Sequence, residues 1–296
     1  AGRITGEYGR FNTSDLGVEV EGPLVKDTLA FRLSASFCEK GGQYTNSANP
    51  TDKLGKRSTQ SIGGTLFYTP TENFSAKARI RFWNDSDGPD AGTAYGSDNV
   101  PASFFNCQPG GRAPIFGNPI NWICGNVPET TPDLISADTR VTQQITDMLS
   151  GATATVPYIL SRGDLPDGFG LERNALETSL NMDWETSSGI TLTSITALHE
   201  DRFASLNDLD RRATTGLTGF LLLFPSSAES YDLRMNKLSD VSQELRVSSS
   251  DDQRLRWTIG SNYSERNYKV QTPTIASGLR LGGFTDRGDF FKAETF

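Results

Sequence analysis

The residues that could carry chemistry in this sequence are two cysteines, one histidine, two acidic runs and a group of rings beside an arginine. Cys107 and Cys124 lie in a single Gly- and Pro-rich stretch, within Asn106-Cys107-Gln108-Pro109-Gly110-Gly111 and Trp122-Ile123-Cys124-Gly125. In a cell-surface compartment such thiols pair, and closing a loop of this size contributes about 3 kcal/mol in the chain-entropy description. A Cys107–Cys124 disulfide is therefore expected, whereas Cys38 has no evident partner. A zinc site would need several Cys or His ligands at close spacing. The single histidine, His199, is far from the cysteines, no Cys-x-x-Cys occurs, and no metal site is expected. Asp85-Ser86-Asp87-Gly88-Pro89-Asp90 and Asn207-Asp208-Leu209-Asp210 lack the spacing of an EF-hand loop and read as solvated loop carboxylates. Gly-x-Ser-x-Gly, His-Glu-x-x-His and a phosphate-cradling Gly-rich loop are all missing, so no catalytic residue and no cofactor is assigned. Phe104, Phe105, Arg112 and Trp122 beside the cysteines offer stacking and anion recognition to a small ligand. Packing of that loop on itself is the first expectation for the same rings.

The elements that hold these residues are strands. Ile4, Gly6 and Tyr8 alternate with polar neighbours, as do Leu16, Val18 and Val20. Phe31, Leu33, Ala35 and Phe37 alternate with Arg32, Ser34, Ser36 and Cys38, and Ala76, Ala78, Ile80 and Phe82 with Lys77, Arg79, Arg81 and Trp83. Further strands are read around 58–69, 176–184, 190–199, 241–248 and 254–263. Period-2 alternation gives each strand one apolar and one polar face. Three basic residues on one strand face would be ruinous in a dry core and cost little in a wet lumen. Short polar turns are expected at Gly22 to Asp27, Pro70 to Asn73, Ser187 to Gly189 and Ser249 to Asp252. Long loops are expected at about 86–170 and 203–238. The first contains an amphipathic helix, from Leu134, Ile135, Val141, Ile145, Met148 and Leu149.

Short turns at one end and long loops at the other are the asymmetry of outer-membrane barrels. Tyr68, Phe74, Trp184 and Trp257 carry the apolar parity beside short turns, where an aromatic girdle would lie. The apolar fraction of 35% is low for a packed globule of 296 residues, and it suits a wall with one lipid-facing side. No run of about eighteen apolar residues exists, so no transmembrane helix is expected. A net charge of -8 gives no basic footprint for nucleic acid. The fold expected is all-β: an antiparallel meander of about nine strands, an open half-barrel with its apolar set convex and its charged set concave.

Two blocks carry a resemblance. Ser242-Gln243-Glu244-Leu245-Arg246, Ser249, Leu255-Arg256-Trp257 and Gly260 resemble a strand-turn-strand block in the barrels of TonB-dependent outer-membrane receptors. Glu7-Tyr8-Gly9-Arg10-Phe11-Asn12 followed by Gly22-Pro23-Leu24 is similar to the first barrel strands of the same family. The resemblance implies a barrel of about twenty-two strands with an N-terminal plug. It also implies import of iron chelates, vitamins or glycans, energised by the TonB complex, in the outer membrane. Residues 1–296 would then be a partial barrel domain, truncated at both ends, without its plug and inactive alone. Its first strand and its last, near 254–263, would keep unpaired edges. Two other readings stand beside this one, a passive porin or adhesin barrel and a soluble secreted glycan-binding β-protein.

Overall fold

The computed structural model describes residues 1–92, 107, 124–125, 135, 137, 139–152, 154, 157–209, 211, 230–276 and 289–295, with 230, 274–276 and 289–295 described by backbone alone. Its elements in chain order are β1 (Gly2–Gly9), β2 (Thr13–Val25), β3 (Leu29–Lys40), β4 (Tyr44–Thr45), β5 (Lys53–Leu54), β6 (Arg57–Thr71), β7 (Phe74–Asp87), α1 (Gln143–Leu149), β8 (Gly170–Glu185), β9 (Thr191–Asp208), β10 (Ser230–Ser248), β11 (Thr258–Gln271), β12 (Thr274–Ala276) and β13 (Asp289–Thr295). Setting aside the small β4–β5 hairpin, β1 to β11 form the expected antiparallel meander, each strand bonded to the next in the chain. β12 lies on β10 beyond the end of β11. The sheet does not close: among the described residues, β1 and β13 each pair on one side only. The last strand expected near 254–263 runs on to Gln271 and gains β13 only from Ser264↔Thr295 to Val270↔Asp289, so among the described residues Thr258 to Tyr263 keep the bare edge expected of them.

Register puts the alternating sets on opposite faces. Val20, Leu33 and Gly64 share a row with Ile80, Thr178 and Leu198, and Arg32 shares the next with Thr65, Arg79 and Ser179. Directly opposite residues share a face, so one matched row fixes a whole strand. Tyr68 and Phe74 meet edge to face at 6.4 Å on the apolar side, and Phe74 is opposite Trp184.

Three turns fall elsewhere than the sequence suggests. β2 runs through Pro23 with a bulge between Pro23 and Val25, and the chain reverses at residues 26–28, where Asp27 has φ 57. β6 likewise runs on through Pro70 to Thr71, with a register shift between Tyr68 and Thr71, so only Glu72 and Asn73 turn. A turn at Ser249 to Asp252 would pair Val247 with Arg254 and set apolar residues against charges. The observed register instead pairs Val247 with Ile259 and Leu245 with Ser261, which centres the turn on Gln253 and leaves Arg254, Leu255 and Arg256 in it. Trp257 still bonds Ser249 through the backbone, at 2.9 Å.

At the other end the strands outrun the apolar rows. β9 continues to Asp208 and β10 starts at Ser230, so the loop expected over 203–238 is corrected at both ends, where residues 203–208 and 230–238 are strand. At 19 residues, β10 is about 60 Å long at about 3.3 Å per residue, well beyond an apolar band of about 25 Å. The loop side of these strands is covered. α1 begins where the Thr142 side chain accepts from the Ile145 amide, so Ile135 and Val141 lie before the helix and not in it. Its Ile145, Met148 and Leu149 pack with Leu160, Leu165, Ala204, Leu206, Tyr231, Leu233 and Met235 in the buried core. Asn46, in the loop that carries β4 and β5, is buried and donates to the Ala137 carbonyl at 2.8 Å while accepting from the Ala137 amide at 3.2 Å. That pair fastens the first loop to the long one.

Candidate functional site

The polar face has two neighbouring features. On its β1–β7 side, Arg3, Arg32, Lys77, Arg79 and Arg81 surround a hollow of about 570 Å³ floored by Ser34, Ser36, Ser61, Gly63 and Thr65. Small and hydroxyl-bearing residues on β3 and β6 leave this space because their side chains do not reach across it. Arg32 is neutralised by Glu19 at 2.7 Å and lies 3.9 Å from Glu21. Among the described residues no carboxylate pairs with Lys77, Arg79 or Arg81, so this wall carries net positive charge.

The second feature lies nearer the loops. Register places Arg81, Glu177, His199, Asp240 and Arg266 in one row across five strands, with a carboxylate on either side of the imidazole and a guanidinium beyond each. His199 Nδ1 is 3.7 Å from Glu177, and Arg266 donates to Asp240 at 2.9 Å. In the row above, Trp83 faces Ala175, whose methyl is almost wholly covered. A side chain this small lets the indole cross β8 and stack on His199, with centroids 6.1 Å apart and planes at 28°. The Arg81 and Arg173 guanidiniums lie 5.1 and 5.6 Å from the same ring, and Arg173 also binds Asp201 at 2.8 Å. An aromatic ring held between cations is fixed in place and presents a flat surface flanked by donors.

Of the residues singled out from sequence, Cys107 and Cys124 are joined, with Cα atoms 5.9 Å apart. Cys38 is free and half-buried on β3. Phe104, Phe105, Arg112 and Trp122 lie outside the described residues. The acidic runs are engaged with protein groups: Asp85 accepts from Thr59 at 2.7 Å, Asp87 from the Ser58 amide at 3.1 Å, and Asp208 from the Arg211 amide at 3.2 Å. Burial pushes the Asp87 carboxyl above its ordinary range, against the opposing pull of the Ser58 amide. Among the described residues no group of three Cys, His, Asp or Glu side chains could hold a metal ion, and no helix is long and apolar enough to cross a membrane. Sequence reasoning missed the Trp83, Arg173, His199 and Asp201 cluster. Its only signal was that Trp83 and His199 carry the polar parity of their strands.

No family model matches the chain, and no curated protein matches it either. Solved structures do. The crystal structure of the ferric yersiniabactin uptake receptor FyuA from Yersinia pestis aligns over 94% of this chain and 32% of its own, at 12% identity and a TM-score of 0.57. The chain thus spans about a third of that receptor's length. LpxR from Salmonella typhimurium aligns over 94% of this chain and 85% of its own, at 8% identity, but with a TM-score of 0.19. What is shared with the uptake receptor is the fold, and the chain is an antiparallel meander wall of the outer-membrane β-barrel type.

Proposed function

We propose that this chain is part of the wall of an outer-membrane transport barrel of the TonB-dependent receptor kind, with lipid against its apolar face and a lumen against its polar one. The observation that carries the reading is the two-sidedness of a single sheet. Ile4, Leu33, Ile62, Ile80, Leu245 and Ile259 lie exposed on one face, while Arg32, Lys77, Arg79 and Arg81 line the other. A soluble monomer does not leave so wide an apolar surface bare. A bilayer covers it, and from β2 to β10 each strand of this sheet has a bonded neighbour on both sides, as the membrane demands of backbone groups. The motif resemblance and the shared fold with an uptake receptor support transport over catalysis. They also support a plug inside the lumen and coupling to the TonB complex as the source of energy.

Cargo of the iron-chelate, vitamin or glycan kind would meet the loops first, with Phe104, Phe105, Arg112 and Trp122 as contact residues. The Lys77, Arg79 and Arg81 cations would then receive anionic groups of plug or cargo. Alone, the chain is expected to transport nothing, because among the described residues β1 and β13 are open edges that neither lipid nor water satisfies.

The test is carried out on the full-length protein in cells. Uptake of a ferric chelate should depend on the protein and stop when the TonB complex is deleted. Passive uptake that survives the deletion would instead make this a porin. Purification as a detergent-free monomer that binds glycans would remove the membrane reading altogether.

A further inference from the structure

His199 is the one histidine of the sequence, and histidine is the side chain whose charge ordinarily changes between about pH 5 and 8. It stands in the middle of the polar face. Its Nδ1 is buried and meets no hydrogen-bond partner among the described residues, although a Glu177 oxygen lies 3.7 Å away. Buried polar atoms are normally bonded, so this nitrogen has a bond still to make. The charged groups around it divide in two. Arg173 donates to Asp201 at 2.8 Å, and Arg266 to Asp240 at 2.9 Å, so those four are closed into pairs. Glu177, Arg79 and Arg81 remain, and register sets Glu177 directly between Arg81 and His199.

Arg81 stands at a junction. Its guanidinium lies 5.1 Å from the Trp83 ring, which is itself stacked on His199, and the same side chain lines the hollow of about 570 Å³. A second hollow of about 280 Å³, lined by Glu177, His199, Asp240 and Ser242, shares Arg79 with the first. A change of charge at the imidazole is therefore felt where an anion would sit. While the imidazole is neutral, the Glu177 carboxylate offsets the cations beside it. Among the described residues no carboxylate is bonded to Arg79 or Arg81.

We infer that His199 is a proton switch that tightens the hold of this wall on anions in acid. A proton taken from water makes Nδ1 a donor, and the imidazolium closes on the Glu177 carboxylate in a charge-assisted bond. Glu177 then no longer offsets Arg81, so Arg79 and Arg81 face the hollow as uncompensated cations. Trp83 keeps the imidazolium in place through its ring face. Both contributions have one sign: acid adds a positive charge beside the hollow and occupies a negative one. The inference rests on the polar face lining a lumen open to water, and it adds that anionic cargo is held more tightly on the acid side.

The test uses the full-length protein in dodecyl maltoside, with naphthalene-1,5-disulfonate as probe, because its sulfonates stay ionised throughout, and fluorescence anisotropy as readout. Native protein should bind the probe about three- to tenfold more tightly at about pH 5.5 than at about pH 8, the worth of one unit charge a strand or two away. His199→Phe, which keeps a ring on Trp83 and cannot take the proton, should bind it equally at both. Glu177→Gln should bind it more tightly than native protein in the alkaline sample, because Arg81 is already released. Emission from Trp83, read as the difference between native protein and Trp83→Phe, should fall in acid and do so only where His199 is present. Equal native affinity at the two pH values, or an acid gain that survives in His199→Phe, would overturn the inference. So would unaltered binding in Arg81→Gln, which would place the probe elsewhere. Ferric-chelate uptake that does not depend on the protein would remove the transport reading and leave this titration unaltered, so the two fail separately.

Discussion

Two regions of the apolar face have the same parity and opposite surroundings. Leu33 and Ile80, in the middle of the sheet, are 52% and 53% exposed, whereas Leu206 and Leu233, on the loop-side extensions of β9 and β10, are 0% exposed. The alternation that produces them is identical. What differs is the cover: α1 and residues 158–169 fold down over the extensions, and among the described residues none folds over the middle. A strand's parity therefore tells which residues share a face, while the medium against that face changes along the strand.

The largest effect expected from this contrast is on the covered region. Leu233→Ala opens a cavity in a closed core and should cost about 2–5 kcal/mol. Amide exchange along β9 and β10 should show it in detergent and in bilayers alike, and a loss seen only in bilayers would place lipid against the extension. Ile80→Arg probes the uncovered region in the opposite way. It should cost about 2–4 kcal/mol in a bilayer and far less where the face meets water, as read by unfolding in lipid against short-chain detergent. An equal cost in both would mean that protein covers this face too.

Reduction of the Cys107–Cys124 bond should lower the stability of the long loop by about 3 kcal/mol, with limited proteolysis reporting cleavage inside 88–142 and none in the sheet. Asn46→Ala leaves the Ala137 amide and carbonyl without partners and should cost about 1–3 kcal/mol. The expected sign is faster exchange in residues 44–54 with β3 and β6 unchanged. The smallest effect is that of pH on Asp87. Because burial raises its folded pKa, its contribution is fully present below the ordinary aspartate value of about 3.9 and fades as pH rises through the higher folded value. The unfolding free energy should decline over that window in the native protein, and this decline should be absent in Asp87→Asn.

Much of this architecture is written locally. Strand existence and face assignment follow from a pleat of period two, so Phe31, Leu33 and Phe37 could be set apart from Arg32 without knowing any partner strand. The difference between short turns and long loops was equally visible, since it depends on where alternation stops. The buried alternation of Tyr231, Leu233 and Met235 was also legible in principle, and was lost because polar neighbours such as Asn236 and Lys237 made the segment look like loop.

Other features are properties of pairs far apart in the chain, and local sequence does not contain them. The turn centred on Gln253 depends on which register matches two apolar faces, because tight-turn residues at Ser249 to Asp252 lose to the pairing of Val247 with Ile259. The Trp83–His199 stack needs three strands in register and a small Ala175 between them. The Asn46–Ala137 lock joins residues 91 positions apart. By itself the sequence determined the strands and their two faces, because side-chain direction in a strand is set one residue at a time. Only the tertiary structure decided what lies against each face, because cover comes from whichever distant segment gains most by burying itself there.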